Sequence, residues 1–164
     1  MSKTFHPAKW WKTEDDKARC YLCPRNCLIQ VGKRGFCGVR ENLDGNLVSL
    51  AYGYPVAIHI DPIEKKPLNE FLPRTLSLSI GTYGCNLECV FCQNHHLSRG
   101  KYPQIITEEE ISPEEIAEGA VSSKCASVSF TYNEPIIWAE YMMDIAVAVK
   151  RKNLATVMVS NGYI

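Results

Sequence analysis

From Leu76 onward the apolar and polar positions organise the chain into alternating elements. Leu76, Ser77, Leu78, Ser79 and Ile80 alternate as a β-strand does, and residues 81–92 follow as a loop at its C-terminal end. Ile111-Ser112-Pro113-Glu114-Glu115-Ile116 reads as a helix start. Ser112 serves as N-cap, Pro113 as the first helical residue, Glu115 closes a capping box, and Ile111 can staple onto Ile116. That helix is expected to run to about Lys124. A strand over 126–131, a helix over 135–152 and a strand over 155–160 follow, the order of parallel βαβ units with right-handed crossovers. Three such strands do not close a barrel.

The first part of the chain has a different character. Cys20, Cys23, Cys27 and Cys37 lie among Gly32, Gly35 and Gly38, which predicts a small loop-built module held by a metal rather than by a core. Asp44-Gly45 predicts a hairpin turn between residues 36–41 and 47–52. Residues 61–73, with three prolines and the charges of Glu64, Lys65 and Lys66, read as an extended connector with both lysines solvated. His59, in an apolar run, reads as a satisfied core residue. The chain thus divides into residues 1–74, a Cys-rich metal-binding module with hairpin and connector, and residues 75–164, an incomplete barrel of three parallel strands.

Composition narrows the setting. Apolar residues are 46% and charged residues 22% of the 164, as in globular rather than disordered chains. Lys plus Arg and Asp plus Glu are 18 each, so no global field favours nucleic acid or an anionic membrane. Residues 1–17 lack the apolar core of a signal peptide, and residues 136–149, the most apolar later stretch, contain Glu140 and Asp144 and fall short of a membrane span. A cytoplasmic, reducing setting is the expectation. There, eight cysteines with seven in two tight groups read as metal ligands rather than disulfides.

The second group, Cys85-Asn-Leu-Glu-Cys89-Val-Phe-Cys92, stands directly after a strand. Iron–sulfur clusters are usually held by four thiolates. Three closely spaced thiolates can hold three irons of a [4Fe–4S] cube and leave the fourth open to a small ligand with an amine and a carboxylate. A strand-end loop also suits the rule that barrel sites sit at the C-terminal ends of strands. The competing reading is a zinc site with His95 or His96 as fourth ligand. The first group, C-x2-C-x3-C-x9-C, fits either a closed zinc site or a second, electron-relaying iron–sulfur cluster, with the balance toward a structural metal.

Cys85-x3-Cys89-x2-Cys92, with Phe91 before the last cysteine, resembles the radical S-adenosylmethionine (SAM) enzymes. Cys20-Tyr-Leu-Cys23-Pro-Arg-Asn-Cys27, Gly35-Phe-Cys37-Gly-Val-Arg40, Asp61-Pro-Ile-Glu-Lys-Lys-Pro-Leu68 and Cys92-Gln-Asn94 narrow the likeness to the AmmeMemoRadiSam system radical SAM enzymes, relatives of the pyruvate formate-lyase activating enzymes. The resemblance implies an α/β fold, the first half of a radical SAM partial (β/α)6 barrel preceded by a small Cys-rich metal-binding module. It implies a [4Fe–4S] cluster at Cys85, Cys89 and Cys92, reductive cleavage of SAM to a 5′-deoxyadenosyl radical, and hydrogen abstraction from a protein or small-molecule substrate. SAM, an electron donor, and either a protein substrate or the missing barrel half are the expected partners.

Thr131-Tyr132-Asn133-Glu134-Pro135 resembles the family's Gly-Gly-Glu-Pro-type segment, and Ser160-Asn161-Gly162 is similar to the Thr-Asn-Gly of the activases. The likeness implies Phe91 near the adenine, and Asn133 and Glu134 at the SAM amino group. Glu134 reads equally well as a helix N-cap neighbour, and Asn161 either holds a ribose hydroxyl or makes a turn with Gly162. Cys125, Met142 and Met143 read as packing residues, and residues 108–110 as a solvated turn. A reading from another class is a non-catalytic iron–sulfur or zinc module that carries electrons.

Overall fold

The computed structural model describes residues 5–100 and 109–164. In chain order the strands are β1 (His6–Pro7), β2 (Trp11–Glu14), β3 (Lys17–Cys20), β4 (Leu28–Ile29), β5 (Arg40–Leu43), β6 (Asn46–Ser49), β7 (Ala57–Pro62), β8 (Leu76–Gly81), β9 (Ser127–Phe130) and β10 (Ala155–Met158). The helices are α1 (His95–Ser98), α2 (Pro113–Ser122) and α3 (Ala139–Arg151).

A four-stranded sheet ordered β10-β9-β8-β7 forms the frame. β8, β9 and β10 run parallel, as the βαβ order predicts, while β7 pairs antiparallel with β8, setting Ala57 opposite Gly81 and Asp61 opposite Ser77. The even positions Leu78, Ile80, Val128 and Phe130 share a buried cluster with Ile116, Ala117 and Ala120 of α2 and Tyr141, Ile145 and Val149 of α3. Burial of this kind contributes about 25 cal/mol per Å² of apolar surface.

The odd positions of β8 and β9 are Ser77, Ser79, Ser127 and Ser129, all fully buried. Ser77 and Ser129 share a 2.6 Å hydroxyl–hydroxyl bond.

Local signals place the helices. Ser112 Oγ accepts from Glu115 N at 3.2 Å, and the Glu115 carboxylate accepts from Ser112 N at 2.7 Å, so both halves of the capping box are present. The helix expected over 135–152 begins differently. Pro135–Trp138 form a 3-10 turn before α3, with Glu134 as N-cap.

Two small antiparallel sheets, β1-β6-β5 and β2-β3-β4, make up the beginning. The expected hairpin is β5–β6, with Asp44 (φ 49°) and Gly45 (φ 88°) both in the left-handed region that a type I′ turn needs. These sheets are tied to α3 by the buried Arg40–Glu140 pair at 2.6 Å. Glu140 also accepts from Lys9 N at 2.6 Å, and Arg40 donates to Lys9 O at 3.0 Å.

Four expectations are corrected here. Residues 61–73 are not simply an extended connector: β7 includes Asp61 and Pro62, and Ile63–Lys65 form a 3-10 turn. Lys66 is not solvated; it is only 7% exposed and pairs with buried Asp61 at 2.8 Å. His59 is exposed on β7 rather than in the core, with the Tyr132 ring edge-on at 5.8 Å. Met142 packs on the core, but Met143 is largely exposed. Cys125 is buried in the main core as a small apolar residue would be. Glu109 and Glu110 are exposed, and Glu108 lies outside the described residues. Among the described residues no helix is long and apolar enough to cross a membrane.

Candidate metal centre

Strand β8 ends at Gly81, and the chain then runs through an irregular loop to α1, carrying Cys85, Cys89 and Cys92, each partly exposed and unpaired. Val90 and Phe91 stand out at the tip, Phe91 being 82% exposed, which an aromatic side chain does not do for its own stability. The sulfurs have polar neighbours. Leu87 N donates to Cys85 Sγ at 3.5 Å, Asn161 Nδ2 approaches it at 4.0 Å, and Ser98 Oγ lies 3.4 Å from Cys92 Sγ. Donors around sulfur stabilise thiolate ligands and tune cluster potentials.

The loop is braced from the ends of β9 and β10. Asn133 Nδ2 donates to Thr82 Oγ1, Tyr83 O and Gly84 O, at 2.8 Å in the last case, and Asn133 Oδ1 accepts from Thr82 N. Asn94 Nδ2 donates to Tyr132 O at 2.9 Å. Tyr132 has φ 71°, the left-handed region that glycine prefers, at a position where the resembled motif carries glycine. Its hydroxyl donates to Asp61 at 3.0 Å, a bond that helps hold it there.

Glu134 is 2% exposed, and its oxygens accept from Ile136 N, Ser160 Oγ and Asn161 N, the last at 2.7 Å. Asn161 in turn donates to Asn86 Oδ1 at 2.9 Å, and Asn86 Nδ2 donates to Tyr163 O at 2.7 Å. The structure therefore brings Cys85, Asn133, Glu134 and Asn161 into one connected network at the C-terminal ends of the parallel strands. Within it Asn133 and Glu134 make their hydrogen bonds to the chain itself, Glu134 as N-cap of the Pro135–Trp138 turn rather than as the N-cap neighbour of the alternative reading. His95 and His96, the candidate fourth zinc ligands, are exposed in α1.

Cys20, Cys23, Cys27 and Cys37 line one small cavity with Leu22, Arg25, Ile29, Arg40, Asn86 and Ile137. The β3–β4 hairpin gathers the first three, closing with Cys20 N donating to Cys27 O at 2.9 Å. Cys37 arrives in the turn before β5. Burial pushes the Cys37 thiol up to about 11 and raises that of Cys20, so as free thiols both are neutral. Among the described residues no three His, Cys, Asp or Glu side chains converge closely enough to hold a single ion as they stand.

A signal that sequence reading missed is the joint between the two cysteine groups. Phe36 lies between the guanidinium groups of Arg25 at 3.6 Å and Arg99 at 4.2 Å. Arg25 Nε donates to Asn86 O at 2.9 Å, and Arg99 donates to Phe36 O and to Leu87 O. The hint available beforehand was the aromatic before Cys37 and the arginine inside the first cysteine group.

The structure is a mixed α/β domain in which a parallel strand ends in a C-x3-C-x2-C loop braced from the next two strand ends. Residues 79–164 match the model of the radical SAM superfamily, and the chain belongs to that superfamily. Over 153 residues it is 44% identical to an uncharacterized protein of Methanocaldococcus jannaschii, covering 93% of this chain and 46% of that protein. The chain thus spans about half the length of the curated relative it matches. No solved structure matches it significantly.

Proposed function

We propose that this chain forms the cluster- and SAM-binding part of a radical SAM enzyme related to the AmmeMemoRadiSam system enzymes and, more distantly, to the glycyl-radical-enzyme activases. The observation that carries the reading is the three-cysteine loop at the end of β8 with its bracing from Asn133, Asn94 and Asn161. Cys85, Cys89 and Cys92 would hold a [4Fe–4S] cluster, and the Leu87 N–H at Cys85 and the Ser98 hydroxyl beside Cys92, which is free to donate, fit anionic thiolate ligands. When bound with SAM, that group supplies one-electron reductive cleavage of a carbon–sulfur bond.

The chain's own residues do the positioning. Phe91 offers an exposed ring on which an adenine can stack. Glu134 fixes the Ser160–Asn161 turn against Asn86, next to Cys85, and Asn161 Oδ1 accepts from Tyr163 N at 2.9 Å. Asn133 sets the backbone of residues 82–84, from which the loop departs. An external electron donor and a hydrogen-bearing protein or small-molecule substrate complete the reaction. The cysteines of residues 1–74 hold a second metal in the same proposal. Among the described strands β10 pairs with β9 alone, and in this reading its other edge receives further barrel strands, carried by a longer chain or a partner.

The test is anaerobic reconstitution of the chain and of Cys85→Ala, Cys89→Ala and Cys92→Ala. The wild-type chain takes up iron and sulfide and turns brown; each variant loses the cluster. Retention of a full cluster in any one of them removes that cysteine from the ligand set.

A further inference from the structure

We infer that the cavity lined by Cys20, Cys23, Cys27 and Cys37 is a closed zinc site whose ion moulds the Cys85 side of the cluster loop. This deepens the second-metal proposal and rests on reading residues 85–92 as the cluster loop. The cavity measures about 20 Å³, room for one water-sized atom, and is walled by Leu22, Ile29 and Ile137. Four thiolates around one ion leave no open position, which suits a structural role. The side chains do not yet converge on a single point, so the ion must draw the thiols inward as it binds.

Three contacts carry that movement to the cluster loop. Gly84 (φ +87°), the residue before Cys85, is packed so tightly on the Cys37 carbonyl that a Cβ there would collide with it. Asn86, the residue after Cys85, lines the cavity itself and is held by Arg25, which lies between Cys23 and Cys27. Phe36, the neighbour of Cys37, is clamped between Arg25 and Arg99, and Arg99 spans Phe36 O and Leu87 O. Residues bracketing the first cysteine group therefore grip the residues on both sides of Cys85. Cys89 and Cys92 receive no such grip in any contact described above. Zinc at the first site is a positioning ion for the second.

The experiment uses the whole chain with no cluster loaded, so it does not depend on SAM chemistry. Metal analysis should give about one zinc per chain. Hydrogen exchange is then followed at residues 84–92 in zinc-loaded and chelator-stripped protein. Stripping should speed exchange of residues 84–87 by roughly tenfold or more and leave 89–92 far less changed. Phe36→Ala should keep its zinc while showing the same local speeding, which separates the joint from loss of folding. In reconstituted protein, Phe36→Ala should load the cluster more slowly than wild type. Equal exchange with and without zinc, wild-type exchange in zinc-loaded Phe36→Ala, or iron with a second cluster signal in place of zinc would each overturn the inference. Failure of the wild-type chain to load a cluster, with the zinc effect intact, would count against the proposed function and not against this coupling.

Discussion

Burial would raise the pKa of Asp61, but hydrogen bonds from Lys65, Lys66 and Tyr132 outweigh it and hold the carboxyl below the usual carboxylate range. A depressed folded-state pKa contributes stability that is present above the unfolded value, near 3.9, and is lost as pH falls through the folded one. Asp61→Asn removes this term and leaves the Lys66 ammonium buried without its partner, a change that costs about 3 kcal/mol or more. Denaturant unfolding as a function of pH checks it: the gap between wild type and Asp61→Asn should be constant near neutrality and narrow below about pH 4. A gap that widens on acidification would contradict the assignment. Neither this network nor the backbone of Tyr132 was legible in the sequence, because Asp61 and Tyr132 meet across 71 residues and no local pattern records such a contact. The glycine-like position of Tyr132 was visible only through the motif it departs from.

Among the elements, those with strong local signals were readable. β8 occupies the residues whose alternation predicted it, and α2 starts at the capping box, because both signals act within a few residues. Ser112→Ala should cost about 1 kcal/mol in urea unfolding, with most of the loss restored by Asp at the same position. Strands β1 to β4 and β7 were not assigned. They run two to six residues, and their stability lies in pairing with partners elsewhere rather than in their own pattern. The tie between the small sheets and α3 was equally invisible, since Arg40 and Glu140 are a hundred residues apart. Glu140→Ala should destabilise by about 3–5 kcal/mol, because it strands the Arg40 guanidinium in the interior. The double variant Arg40→Met/Glu140→Leu should cost less than either single change, as thermal unfolding can show. Additive losses would mean that the two side chains act independently.

At the scale of the molecule, the four-stranded sheet ends at β10 among the described strands. β10 pairs with β9 alone among the described strands, and its residues alternate between half-buried and exposed, with Met158, Val159 and Ile164 open to solvent. A parallel strand of this kind is ordinarily flanked and covered. The isolated chain should therefore self-associate, with sedimentation velocity shifting to faster species as concentration rises. A compact monomer across the concentration range would contradict the proposed role of β10. The two cysteine groups were legible in spacing, and the placement of the second at a strand end in the alternation of residues 76–80. The way the groups are joined was not, since the Arg25–Phe36–Arg99 clamp is a product of folding. The central claim is radical SAM chemistry at Cys85, Cys89 and Cys92. The electron paramagnetic resonance spectrum of the reduced, anaerobically reconstituted chain, recorded with and without SAM, tests it most directly. The account predicts a [4Fe–4S] signal that changes shape when SAM is added; a cluster signal indifferent to SAM would make the chain an electron carrier instead.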